Sequence, residues 1–161
     1  MLILGIDPGL IQTGYGLIKV GSEKKQVIDY GTISPNSKDK LALRLLAIYN
    51  DLLSIINEYE PSVMAIEEVF YGKNVKSALR LGHARGVSMV CASKNNIPVY
   101  EYSARKVKQS ITGNGTAHKS QVQYMIIKEF NLKNLKFSTD ASDAIAIALC
   151  HINQIKLNEL W

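Results

Sequence analysis

The pattern of apolar and polar positions divides the chain into short apolar runs and long periodic stripes. The first run, Leu2-Ile-Leu-Gly-Ile6, is too short for a helix, ends on Asp7 and is stopped at once by Pro8-Gly9. A run bounded in this way predicts a strand buried on both faces that delivers Asp7 to its carboxyl end, the edge where open α/β sheets build their sites. Asp before Pro-Gly is also good turn chemistry. On local grounds Asp7 is therefore either a turn former or a functional carboxylate. Residues 14–20 and 26–33 flank the polar stretch 21–25 and complete a three-stranded antiparallel meander. Gly14 and Gly16 fall near Asp7 in that hairpin, where a missing side chain leaves room for a ligand or for close backbone approach.

Beyond a polar break at 35–40, Leu41, Leu45, Ile48, Leu52, Ile55 and Tyr59 recur at spacings of four and three, an amphipathic helix closed by Pro61. The apolar run 62–66 then ends on Glu67-Glu68. Strand, helix and strand make a right-handed crossover, so this second run lies parallel to the first and brings a glutamate to the same edge as Asp7. Strand side chains alternate faces, so only one of Glu67 and Glu68 projects as Asp7 does, and periodicity alone leaves the choice open.

Residues 73–94 form a further helical pattern. Ala78, Gly82 and Gly86 share one stripe, suited to close packing on the sheet or against a second copy of the chain, and Lys76, Arg80 and Arg85 occupy the other side. An edge strand is expected at 97–101, since it contains a proline. Ser103 caps a short helix to Ile111 carrying Arg105, Lys106 and Lys108. A flexible break follows at 113–115, then a helix to about Phe130. The last helix begins near Ser138-Thr139, carries Asp140 and Asp143 on one face of its first turn, and continues as a nearly unbroken apolar run to His151. Two acids at a helix N-terminus can simply favour the helix dipole. A helix this apolar must be buried, however, and its first turn then brings two carboxylates to the rim of the core, where they repel unless a cation lies between them.

Composition narrows the class. At 161 residues, 47% hydrophobic and 20% charged, the chain is one ordinary globular domain with a core that needs no staples. No run approaches the length of a membrane span, and no charged region precedes the short N-terminal apolar run, so a cytoplasmic protein that meets no membrane is expected. Cys91 and Cys150 sit inside helical apolar patterns without metal-type spacing and read as reduced core residues. The net charge is +5, from 19 basic and 14 acidic residues. If four acids belong to one site, nineteen bases face ten acids elsewhere, an excess that favours a polyanion.

One Asp, one Glu from the neighbouring parallel strand and two Asp from a late helix suit hard divalent cations, which take oxygen ligands and keep waters for chemistry. With a basic surface, that chemistry is phosphodiester hydrolysis. Glycoside hydrolysis would also use two carboxylates but gives the basic helices no role. Zinc is disfavoured, because His83, His118 and His151 lack paired spacing with each other or with the cysteines.

Taken in order, Gly5-Ile-Asp7-Pro-Gly9, Thr13-Gly-Tyr-Gly16, Ala65-Ile-Glu67, Val69-Phe70, Lys73-Asn74, Ala84-Arg-Gly86, Val107-Lys-Gln109, Lys119-Ser-Gln-Val-Gln123 and Asp140-Ala-Ser-Asp143 resemble the RuvC family of Holliday-junction resolvases over nearly the whole chain. The resemblance implies an α/β, RNase H-like fold, a five-stranded mixed sheet flanked by helices, in one domain over 1–161. It implies a homodimer that makes paired symmetric nicks in four-way DNA junctions during recombination and repair, alongside a RuvA-RuvB branch-migration complex. It implies Mg²⁺, which Mn²⁺ can replace, at one or two ions per subunit. By the same resemblance Asp7, Glu67, Asp140 and Asp143 are the catalytic metal ligands, which chooses Glu67 over Glu68. Lys108 and Lys119 match bases facing the scissile DNA, and Phe70 matches an aromatic that stacks on junction bases. Lys73, Lys76, Arg80 and Arg105 complete the expected DNA-binding set. Glu68 stands where the family often has a neutral residue, and a glutamine is often found near the position of His83. The related YqgF-type nucleases of RNA processing share the first acid but not the lysine-bearing segments. An ATP-binding module of the actin and sugar-kinase type would need a second lobe, for which the chain is too short. A junction-binding protein without catalysis would have no use for bare carboxylates beside phosphate.

Overall fold

The computed structural model describes residues 1–22, 24–68, 75–132 and 138–158, with 75–77 and 156–158 described by backbone course alone. The meander forms as expected: β1 (Leu2–Asp7), β2 (Thr13–Val20) and β3 (Lys25–Ile33). Helix α1 (Leu41–Tyr59) ends where Glu60 takes a left-handed conformation at φ 48°, and Pro61 prevents its continuation. β4 (Val63–Glu67) lies parallel to β1, with Ile3 opposite Val63 and Ile6 opposite Ile66. After α2 (Val75–Lys94), β5 (Val99–Tyr102) adds a parallel edge strand, giving the order β3-β2-β1-β4-β5. The chain ends in α3 (Ala104–Thr112), α4 (Lys119–Glu129) and α5 (Thr139–Asn158).

The central strands are apolar throughout because both faces are covered. Ile3 points into a core shared with α3, α4 and α5, while Leu4 and Ile6 point into a second core shared with α1 and α2. Helix α5 lies across β1 and β2, and from Ala144 to Ile152 its residues are buried. Its close seating settles the two uses open to the hairpin glycines. A Cβ on Gly14 would collide with the carbonyl oxygen of Asp140, and one on Gly16 with Ile145. Backbone approach, not ligand space, is what these positions serve.

Two expectations are corrected. Residues 113–115 are not a loose break: Gly113 caps α3 at φ 76°, and the Gln109 side chain donates to the Gly113 carbonyl at 2.8 Å and accepts from the Gly115 N–H at 2.9 Å. Nor does Arg85 belong to a free basic face, since its guanidinium pairs with Glu101 on β5. Cys91 and Cys150 are free and buried, and burial pushes the Cys91 thiol up to about 11. Among the described residues no helix is long and apolar enough to cross a membrane.

His151, on the buried side of α5, accepts or donates a 2.7 Å hydrogen bond with the Tyr102 hydroxyl and stacks at 4.5 Å on Tyr100. Burial lowers its pKa from 6.5, so the folded state binds this proton less well than the unfolded chain. Its contribution to stability is therefore full above about pH 6.5 and is lost as the pH falls below it. The difference in Tm between the wild type and His151→Gln is expected to shrink between pH 7.5 and 5.5; a constant difference in thermal melts would contradict this.

Candidate active site

Asp7 closes β1 opposite Gly14 of β2, and Glu67 closes β4 opposite Tyr102 of β5. β1 and β4 are in-register parallel neighbours, so the two acids end side by side at one sheet edge, both half-buried, while Glu68 faces solvent. Asp140, in the first turn of α5, and Asp143, one turn further on, reach the same edge from above, where the helix rests on Gly14. The four carboxylates are thus brought together by three elements whose packing leaves little freedom in their separation.

The electrostatics show how crowded this edge is. Burial pushes the Asp7 carboxyl up to about 8, reinforced by the charges of Glu67, Asp143 and Asp140 and opposed by Lys119. Burial likewise raises Glu67; Asp143 adds to the shift, and a hydrogen bond with Asp7 and the charges of Lys119 and Lys108 pull it back. Lys119, the first residue of α4, places its Nζ 2.5 Å from Asp143. Partial burial works against its charge, but the hydrogen bond and attraction to Asp143, with Asp7 and Glu67, hold the ammonium above the ordinary lysine range. Carboxylates this close repel strongly in a partly desolvated site, and each is stabilised by any positive charge brought among them. Among the described residues no three His, Cys, Asp or Glu side chains surround one point as a ready-made metal cage. Asp143 is engaged by the ammonium instead.

Basic and apolar walls flank the acids. On one side a narrow cleft joins Glu67 and Asp143 to Lys108 and Lys119. On the other, a cavity of about 780 Å³ runs from Asp7 and Asp140 past Leu10 to Arg44, Arg80 and His83. Lys108 and Lys119 on one side and Arg80 on the other therefore flank the acids with positive charge. Arg105 is exposed on α3 with its stem against Gly115, at the margin of this region. Phe70 and Lys73 lie outside the described residues, as does the side chain of Lys76. Sequence reasoning missed Arg44 altogether, because nothing in the local pattern of α1 distinguishes it from a solvated helix residue.

Comparison with known proteins bears on what this arrangement does. Residues 3–151 match the family described as crossover junction endodeoxyribonuclease RuvC. The relative of that name from Halothermothrix orenii is 46% identical over 161 residues, covering 100% of this chain and 98% of its own. That from Caldicellulosiruptor saccharolyticus is 50% identical over 154 residues, covering 94% and 92%. Among solved structures, Thermus thermophilus RuvC in complex with Holliday junction substrate superposes with a TM-score of 0.91 at 30% identity, covering 98% of this chain and 96% of that one.

Proposed function

The chain belongs to the RuvC family of crossover junction endodeoxyribonucleases, and from that premise we propose that it resolves four-way DNA junctions by paired, symmetric, Mg²⁺-dependent nicks. The protein is an endonuclease, a phosphodiester hydrolase with an RNase H-like fold, and nucleases of its family depend on metal. The observation that carries the reading is the meeting of Asp7 and Glu67 on adjacent parallel strands beneath Asp140 and Asp143, with Lys108 and Lys119 at the rim.

The donor set fits a hard divalent cation: all four groups are carboxylates, and their mutual repulsion is what such a cation removes. Asp7 and Glu67 would hold the shared ion, and Asp140 and Asp143 would complete the ligand set for one or two Mg²⁺, with Mn²⁺ able to substitute. When bound, the metal supplies Lewis acidity at the phosphate and a water acidic enough to attack it. The chain's own groups do the rest. Lys119, charged and hydrogen-bonded to Asp143, is held where it can stabilise negative charge developing on the phosphate, and Lys108 adds a second positive charge beside Glu67. Arg80 and Arg105 neutralise flanking phosphates, in the role assigned also to Lys73 and Lys76, and Phe70 stacks on a junction base. The RuvA-RuvB branch-migration complex is the assembly expected to deliver the junction.

Paired nicking needs two sites. Helices α1 and α2 leave an open apolar groove of about 550 Å³ between Leu45, Leu46, Tyr49, Gly82, Val87 and Val90, with Val90 62% exposed. A Cβ on Gly82 or Gly86 would meet nothing within 4 Å, so these positions face open space and do not pack on the sheet. A second copy seated on this face by a two-fold axis would present two identical sites to two equivalent strands. Gly82→Leu is expected to yield monomers in sedimentation velocity, and an unchanged dimer would refute this interface.

The reading is tested by incubating a synthetic four-way junction with the protein and Mg²⁺ and mapping the cuts. Symmetric nicks on two strands of like polarity, abolished by EDTA, are expected. Preferential cleavage of a structured RNA would support the YqgF-type alternative, which the whole-chain match does not favour.

A further inference from the structure

Five residues separate Asp7 from the start of β2, and their backbone is held at two points. At one, the buried Thr13 hydroxyl donates to the Gly9 carbonyl at 2.8 Å and accepts from the Gly9 N–H at 3.2 Å. At the other, the Arg44 guanidinium donates to the Leu10 carbonyl at 2.5 Å across 34 residues of sequence. Between these ties Leu10 is buried in the core shared with α1, whereas Ile11 is 76% exposed. The turn that leaves Asp7 is thus fastened to α1 by one buried side chain and one arginine.

Arg44 is poorly placed for other tasks. It lies in the first turn of α1, where no acidic residue accompanies it and a cation opposes the helix dipole. Among the described residues no carboxylate forms an ion pair with it, and its Nε is buried without a partner. Nor does it rank with Glu67, Asp143, Lys119 and Asp140 among the charges acting on Asp7. Among the described residues its hydrogen-bond partner is the Leu10 carbonyl, and Arg44 lines the cavity that opens on Asp7 and Asp140. We propose that Arg44 is a positioning residue: by holding the Leu10 carbonyl it fixes the 8–12 turn and, through it, the placement of Asp7 as a metal ligand.

The proposal rests on the metal-dependent endonuclease reading, and its test separates the two. Arg44→Ala removes the tie, and Arg44→Met removes it while keeping an apolar stem for packing. Partners that orient a ligand without touching the metal are worth about 10- to 100-fold in affinity or activity. Both variants, as full chains that unfold cooperatively, are expected to bind Mn²⁺ alone about tenfold more weakly by calorimetry. Under single turnover with saturating protein they are expected to cleave a four-way junction at least about tenfold more slowly, with junction affinity in EDTA within about twofold of wild type. Millimolar guanidinium is expected to restore part of the rate to Arg44→Ala and none to Asp7→Asn. Wild-type Mn²⁺ affinity in Arg44→Met, or a defect confined to junction affinity, would overturn the proposal. If the wild type cuts no junction, the substrate reading fails, and the Mn²⁺ comparison still decides the role of Arg44.

Discussion

Asp7→Asn is expected to slow junction cleavage under single turnover by about a thousandfold or more, a barrier increase of about 4 kcal/mol at 1.36 kcal/mol per tenfold, while junction binding is retained or improved. The argument begins with position. Asp7 stands between Glu67 on the neighbouring strand and the two aspartates of α5, and its carboxyl is the group whose pKa is driven up to about 8 by burial and by those neighbours. An amide there has nearly the same shape but offers one neutral oxygen, so a divalent cation held there would lose a charged ligand and would offset the remaining three acids less well. Binding does not suffer in the same way, because the amide brings no negative charge to face the DNA phosphates. The metal-free protein should also gain thermal stability, since the amide escapes the cost that burial and the neighbouring acids impose on this carboxyl. Gel-shift titration in EDTA, single-turnover cleavage in Mg²⁺ and melting in EDTA report the three effects separately. Cleavage by Asp7→Asn at a rate near wild type would show that the chemistry does not pass through this carboxylate.

Much of this edge of the sheet is legible in the sequence, for identifiable reasons. β1 and β4 are buried on both faces, so they stand out as continuous apolar runs, and each run stops on its acid because the sheet ends there and solvent begins. Helix α5 is recognisable by the same logic: a helix apolar on every side has to lie inside, and Asp140 and Asp143 are exceptions at its mouth. Periodicity could not choose between Glu67 and Glu68, because strand alternation gives a relative phase without an origin. The register of Ile6 with Ile66 supplies that origin and leaves Glu68 outside. The stripe of Ala78, Gly82 and Gly86 had two readings because small residues serve any close contact, and only the position of α1 shows that Gly82 and Gly86 face open space.

What stayed hidden depends on contacts between distant residues. Arg85 looks like part of a basic helix face until β5 brings Glu101 beside it. Arg44 looks like a solvated helix residue until the turn after Asp7 folds down onto α1. The stretch 113–115 has the glycines of a flexible segment, yet the Gln109 side chain bridges it by two hydrogen bonds and makes it a fixed turn between α3 and α4. That rigidity fixes the spacing of Lys108, on α3, and Lys119, the first residue of α4, which share a cleft with Glu67 and Asp143.

Gly14→Ala is expected to damage catalysis far more than a single methyl group in a strand ordinarily would. Gly14 is the ladder partner of Asp7, and the atom its Cβ would strike is the backbone carbonyl of Asp140. This glycine therefore sets how near the helix-borne acids come to the strand-borne ones. A carbonyl of a helix seated across β1 and β2 cannot rotate away, so the N-terminal turn of α5 has to lift. Overpacking of this kind destabilises by about 1–3 kcal/mol. A displacement of about 1 Å in catalytic groups can cost about a hundredfold in rate, and Asp140 and Asp143 would move together. The expected result is a folded variant with a lowered Tm, unchanged junction affinity and single-turnover cleavage down by about a hundredfold. Gly21→Ala serves as the control, because its nearest contact would be an ordinary 3.5 Å approach to the Lys24 carbonyl far from the acids. If Gly14→Ala melts lower but cleaves at the wild-type rate, then α5 yields without moving its first turn, and the spacing of the four carboxylates is fixed by something other than this backbone contact.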